Sequence, residues 1–238
     1  MKSRIVYILI LFFFLSSCQN ELMQPDKGTG TLSLGMTRSG VSTAKTIDDD
    51  LALKVLDSKG QVYVEYRAGR VPNRIVLEPG TFTVIAYTEN QNTWATENNG
   101  SGAACYYGTT EVSIEFDQIV YVNMQVPMTN YAVTLTLPNL FHSLFKEYTF
   151  NLVSSGRSVN IKEGEKAYFS TEGKGFKYKL TATNTDNVSH STTPLTYSKV
   201  ENGKLYNITY YYGTDANSGG LDIEITDNME VIDDHVPL

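Results

Sequence analysis

Cysteine is almost missing from this chain of 238 residues: only Cys18 and Cys105 occur. Two thiols, one of them close to the N-terminus, leave no room for a disulfide framework. Stability must come from a packed core, and an apolar share of 41% with 16 Tyr and 10 Phe can build one. Histidine is equally scarce. His142, His190 and His235 are scattered, and no Gly-x-Ser-x-Gly, His-Glu-x-x-His or glycine-rich phosphate loop occurs. The expectation is a protein that is not an enzyme and holds no cofactor. Basic residues are short too: 19 Lys and Arg face 26 Asp and Glu, for a net charge of −7. An acidic surface argues against nucleic acid as a partner. The runs Asp48-Asp49-Asp50 and Asp233-Asp234 match no calcium loop, because consecutive carboxylates point apart. They read as solvated turns, and no metal is expected. Long hydrophobic runs are also absent: residues 5–15 fall short of the roughly 18 needed to span a bilayer.

That short run is informative because of its flanks. Lys2 and Arg4 precede it and Ser16, Ser17 and Cys18 follow, which is the order of a signal peptide. The sequence Leu15-Ser16-Ser17-Cys18 resembles the lipobox of bacterial lipoproteins. The resemblance implies cleavage after residues 1–17, a diacylated thiol on Cys18 and a function performed outside the cytoplasm. The membrane is then a partner through the lipid on Cys18. The mature chain of 221 residues carries a net charge of −9, since Lys2 and Arg4 are lost. Cys105 lies in Ala103-Ala104-Cys105-Tyr106-Tyr107 and reads as a small buried hydrophobe.

Residues 18–29 read as a lipidated polar linker. Beyond them the chain reads as β almost throughout. Alternating segments cover 31–35, 51–56, 61–66, 74–78, 81–87, 109–116 and 119–126. The pattern then restarts. Residues 131–137 match 31–35, the hairpin at 148–159 matches 51–62, 175–183 matches 80–88, and 203–210 matches 121–126, with Asn207 in the place of Asn123. Four elements recurring in one order predict two copies of one β-domain, residues 30–128 and 129–213. The pairs Leu140/Leu144 and Phe141/Phe145 predict one short helix in the second copy, plugging an end of its core. Tyr206, Ile208 and Tyr210 are expected to face that core. Residues 214–238 are a tail with one alternating strand at 221–226, which either caps an edge of its own domain or is donated to another subunit.

The stretch from Leu77 to Tyr87, with Pro79-Gly80-Thr81-Phe82 entering a strand, resembles the strand entry of transthyretin-like β-sandwiches. Together with the lipobox, Tyr106-Tyr107-Gly108, the lead-in at residues 46–51 and the two-copy layout, it makes the chain similar to a family of Bacteroidales lipoproteins of unknown function. The likeness covers nearly the whole mature chain. More distantly, the chain resembles the fimbrillin and fimbrial-anchor superfamily, whose members also pair two such sandwiches behind a lipobox. The resemblance implies an all-β fold of two tandem transthyretin-like or immunoglobulin-like sandwiches and an outer-membrane location. It also implies adhesin or fimbria-accessory character, with fimbrial or other surface proteins as partners. Whether the protein faces the cell surface or the periplasm is left open. Some members are cut after an Arg ahead of the first strand. Here Arg38 follows the segment 31–35, which does not fit a matured subunit.

One loop suggests a ligand. Trp94 lies in a polar stretch, residues 89–102, that is long for a strand connection. With Tyr106 and Tyr107 it offers an aromatic platform for a polysaccharide. Alternatively, Trp94 folds back as a lid on the first sandwich.

Overall fold

The computed structural model describes residues 28–38, 48–212 and 221–228, with backbone alone for 211–212 and 221–228. Cys18, the linker before Gly28, and Asp233, Asp234 and His235 of the tail lie outside the described residues.

Apolar–polar alternation sets the first strand. In β1 (Gly30–Arg38), Leu32, Leu34 and Met36 point inward and are buried. β1 lies between β4 (Arg74–Leu77), antiparallel, and β7 (Ile119–Val126), parallel. The facing sheet runs β3 (Val62–Tyr66), β2 (Ala52–Leu56), β5 (Gly80–Tyr87), β6 (Tyr107–Ile114), all antiparallel. Leu53, Val55, Val84 and Val112 from this sheet meet Leu32, Ile75 and Met124 from the other in one core.

The same wiring recurs. β8 (Tyr131–Thr136) pairs antiparallel with β11 (Lys166–Phe169) and parallel with β15 (Leu205–Tyr212). It thus repeats the position of β1 between β4 and β7. Opposite it, β10 (Arg157–Ile161), β9 (Phe145–Ser154) and β12 (Phe176–Asn184) repeat β3, β2 and β5. The repetition fails at one place. Where the first sandwich has the eight-residue β6, the second has two fragments on β12, β13 (Ser189–Ser191) and β14 (Leu195–Tyr197). Pro194 stands between them and has no N–H to give to a ladder. Thr192 fills in there: its N–H donates to the Leu180 carbonyl and its hydroxyl accepts from the Leu180 N–H. The chain is therefore all-β, two two-sheet sandwiches in tandem, as expected.

The second core is aromatic. Tyr131, Phe150, Phe169, Phe176, Tyr206, Ile208 and Tyr210 are all buried in it, which places the three β15 side chains inward as expected. The Tyr131 ring lies 5.7 Å from Tyr206, 5.9 Å from Phe169 and 6.1 Å from Phe176. Its hydroxyl meets Ser154 Oγ at 2.9 Å and the Gly175 carbonyl at 3.2 Å. The short helix is α1 (Phe141–Leu144), and it stops where β9 begins. Phe141 alone is the plug, buried and stacked on Phe145 at 4.7 Å. Leu140 and Leu144 are exposed, so one of the two apolar pairs faces water. A single turn has no room for both.

Two expectations need correction. β1 extends to Arg38, so this residue ends the strand instead of following it. It is buried, with Nε 2.8 Å from Asp48, a terminal nitrogen 3.0 Å from Asp50 and the guanidinium 5.4 Å from the Tyr106 ring centre. Asp48 and Asp50 are therefore not merely a solvated turn: they neutralise a cation at the rim of the first core.

The tail strand is β16 (Leu221–Asn228), antiparallel to β15 over eight residue pairs from Leu205–Asn228 to Tyr212–Leu221. It forms one edge of the sheet β11-β8-β15-β16.

Tyr131 is the most connected aromatic residue of the second core. Tyr131→Phe is expected to cost about 1 kcal/mol, because Ser154 keeps its own bond to Gly175. Tyr131→Ala, which opens a cavity, is expected to cost about 3–5 kcal/mol. Urea unfolding of the two variants beside the parent measures both.

Candidate functional site

The long connection between β5 and β6, residues 88–106, reaches across to the second sandwich. Two short 3-10 turns, Trp94–Thr96 and Asn98–Gly100, fold it. Asn98 and Asn99 both take left-handed conformations, φ 50° and 56°, which short polar side chains tolerate. Asn90 Nδ2 donates to the Ala104 carbonyl and Asn98 Nδ2 to the Gly102 carbonyl, which closes the loop on itself.

Gly102 makes the crossing. Its φ is +89°, and a Cβ there would meet Tyr168 Cβ at 3.2 Å and the Trp94 carbonyl oxygen at 3.3 Å. This close approach lets the Tyr168 N–H donate to the Ser101 carbonyl at 2.8 Å. Beside it, Arg157 at the start of β10 donates to the carbonyls of Tyr168 (2.6 Å), Ala95 (2.7 Å) and Gly100 (2.5 Å). Its guanidinium carbon lies 5.3 Å from the ring centres of both Trp94 and Phe169. One planar cation thus ties the loop of the first sandwich to the wall of the second. Burial pushes its pKa down from the ordinary value, yet an arginine stays charged. Among the described residues no carboxylate pairs with it, so oriented carbonyl dipoles carry the compensation.

A second seam lies below. Asn130, buried between the two halves, accepts from the Cys105 N–H through Oδ1 (3.1 Å) and donates from Nδ2 to the Ala103 carbonyl (2.8 Å). Its own carbonyl accepts from the Gly203 N–H at 2.9 Å. Ala132, Tyr168 and Leu205 from the second half are buried in the first core. Between the loop and the β10–β11 turn runs a cleft of about 830 Å³, walled by Asn98, Asn99, Ser158, Asn160, Glu165 and Lys166.

The three residues marked from sequence separate. Tyr106 is 3% exposed, with its ring in the first core under Arg38. Tyr107 is its neighbour on a strand, so it points the other way and is 41% exposed. Trp94 is half-buried, packed on the first core and approached by Arg157. The structure joins Trp94 and Tyr106 through that core and leaves Tyr107 apart. Cys105 is buried beside them as a free thiol. Sequence reasoning missed Arg157 and Asn130. Arg157 follows the hairpin turn Ser155-Gly156 and looked like any surface cation, since nothing local shows that two of its partners, Ala95 and Gly100, lie 62 and 57 positions earlier. Among the described residues no group of His, Cys, Asp or Glu is arranged to hold a metal, and no helix is long and apolar enough to cross a membrane.

Arg157→Met should lower stability by about 2–3 kcal/mol, from charge-assisted bonds and the lost ring contact. Arg157→Lys should restore only part of this, because an ammonium cannot fork between three carbonyls. Thermal unfolding measures the loss, and limited proteolysis should show faster cutting within residues 89–105 in both variants.

No curated protein matches the chain in sequence. Among solved structures it is similar to a candidate cell adhesion protein from Bacteroides eggerthii, at 10% identity and TM-score 0.48, covering 84% of this chain and 95% of that one. A candidate cell adhesion protein from Bacteroides uniformis is similar at 12% identity and TM-score 0.46, covering 86% and 99%. So is the fimbrial anchor protein Mfa2 from Porphyromonas gingivalis, at 12% identity and TM-score 0.44, covering 85% and 97%. A family model described as a domain of unknown function, DUF4493, matches residues 28–237. The family of unknown function expected from the motifs is thereby found, and the chain belongs to the DUF4493 family.

Proposed function

We propose that this protein is a non-catalytic adhesion or fimbria-accessory module, held on the outer membrane by a lipid on Cys18. In this reading residues 30–128 and 129–213 are its two sandwich domains, and its partners are fimbrial or other surface proteins. The observation that carries the reading is β16. An eight-residue strand from the tail caps β15 of its own chain and is itself the edge strand of that sheet. This supports a segment shaped to complete a sheet edge, its own here and a partner's once released. A strand of this kind joins proteins through main-chain hydrogen bonds, with alternate side chains setting specificity. The arginine clasp supports the same reading, since a tethered module that bears load gains from a stiff joint between its domains.

A second reading, binding of a polysaccharide, is favoured by the polar cleft beside the Trp94 loop. Asn98, Asn99, Ser158 and Asn160 line it with donors and acceptors suited to sugar hydroxyls. Trp94, on the loop that forms one wall, would then be the ring offered to a sugar, while Tyr106 would act only as support and Tyr107 would take no part.

Crosslinking in native cells, followed by pull-down in mild detergent, tests the first reading. One tag is placed at the C-terminus and another in the exposed turn at Lys59-Gly60. Surface proteins are expected with the Lys59 tag and should be lost when the tag blocks the tail strand. A partner-free monomer with both tags refutes assembly. Binding of glycans that Asn160→Ala abolishes without lowering thermal stability would establish the second reading.

A further inference from the structure

The outer face of the first sheet carries an apolar patch beside the chain entry. In β1 the outward residues are Thr31 and Ser33. Thr31 stands opposite Val76 on β4 and Ile119 on β7, and Ser33 stands opposite Arg74 and Tyr121. Residues directly opposite share a face, so Val76-Thr31-Ile119 and Arg74-Ser33-Tyr121 are two adjacent rows. At the end of the first row the turn before β7 presents Phe116. Its ring lies on Gly28, where a Cβ would fall 1.6 Å from a ring carbon. Val76, Phe116, Ile119 and Tyr121 are 47 to 65% exposed. These four are a third of the large hydrophobic side chains found exposed among the described residues, gathered at one end of one sheet.

We propose that this face rests on the lipid leaflet that carries the anchor, at the boundary between headgroups and acyl chains. The proposal rests on the lipidation of Cys18. The position of the patch selects the occupant. Ten residue steps separate Cys18 from Gly28, so the patch lies within about 35 Å of the anchored thiol even with the chain fully extended. A tether of that length holds a weak site at millimolar effective concentration, and modest apolar area suffices. The composition fits an interface. Tyr121 is a ring of the type that collects at headgroup level, Phe116 is a purely apolar ring that would reach the acyl side, and Arg74 in the second row has an apolar stem and a charged end. Glu115 and Asp117 flank Phe116, which sets the preferred surface as zwitterionic instead of anionic. Docking would orient the first sandwich sheet-down.

The test uses the mature chain with a His-tag in place of the lipid, bound to phosphatidylcholine vesicles that contain nickel-chelating lipid. Tyr121→Trp is read as the emission added to that of Trp94. A blue shift and quenching by lipids brominated near the headgroup are expected. Val76→Ser with Ile119→Ser, on an exposed face that leaves the melting temperature unchanged, should weaken partition into vesicles without chelating lipid roughly tenfold. Phosphatidylglycerol in place of phosphatidylcholine should weaken it further. Added emission that ignores the brominated lipids overturns the docking. Emission that depends on protein density instead assigns the face to a second copy, which also overturns it. Mass spectrometry of the native N-terminal peptide is read separately: an unmodified Cys18 removes the tether and the proposal with it.

Discussion

The joint between the two sandwiches depends on one cation. Each sandwich buries its own apolar face, and two such units on one chain would by default move independently. Arg157 changes this because its donors are fixed in a plane. Bonds to Ala95 and Gly100 in one half and Tyr168 in the other hold only while both halves keep their places. Gly102 is the companion constraint, since a side chain there would push the loop off Tyr168. Asn130 fixes the same joint from the other side and helps join the first core to residues of the second half. The loop that looks like a ligand platform in the sequence is, in the fold, first of all a strut.

The internal repeat explains why the joint sits where it does. Both copies place their first strand between an antiparallel and a parallel neighbour. The chain therefore leaves the first copy on β7 and enters the second on β8 after only four residues. Such a short link brings the β5–β6 loop of one copy against the β10–β11 wall of the next. The copies have since diverged where packing allows. Pro194 split one strand of the second sandwich, and its core filled with aromatic rings.

Much of this was legible in the sequence. Period-two alternation located most strands, including 119–126 to the residue, because a half-buried strand leaves that pattern directly in the chain, but the short β11, β13 and β14 were too brief to show it. The inward direction of Tyr206, Ile208 and Tyr210 followed from the same rule. Arg38 was not legible, because a cation at an inward position breaks the apolar pattern and its partners Asp48 and Asp50 lie ten and twelve residues on. The candidate site was legible only as a long loop with one Trp. That Tyr106 is buried and Tyr107 is not depends on the register of β6, fixed by its ladder with β5. That Arg157 approaches Trp94 depends on tertiary contacts that no local pattern encodes.

The central claim is a stiff joint held by the arginine clasp. The most direct measurement is pulsed electron paramagnetic resonance between spin labels at Lys59→Cys and Asp186→Cys, one on each sandwich. The chain used carries Cys18→Ser, and its buried Cys105 is left in place. The account predicts a single narrow distance distribution that broadens when Arg157→Met is introduced. A broad distribution in the parent chain, unchanged by the substitution, would contradict it.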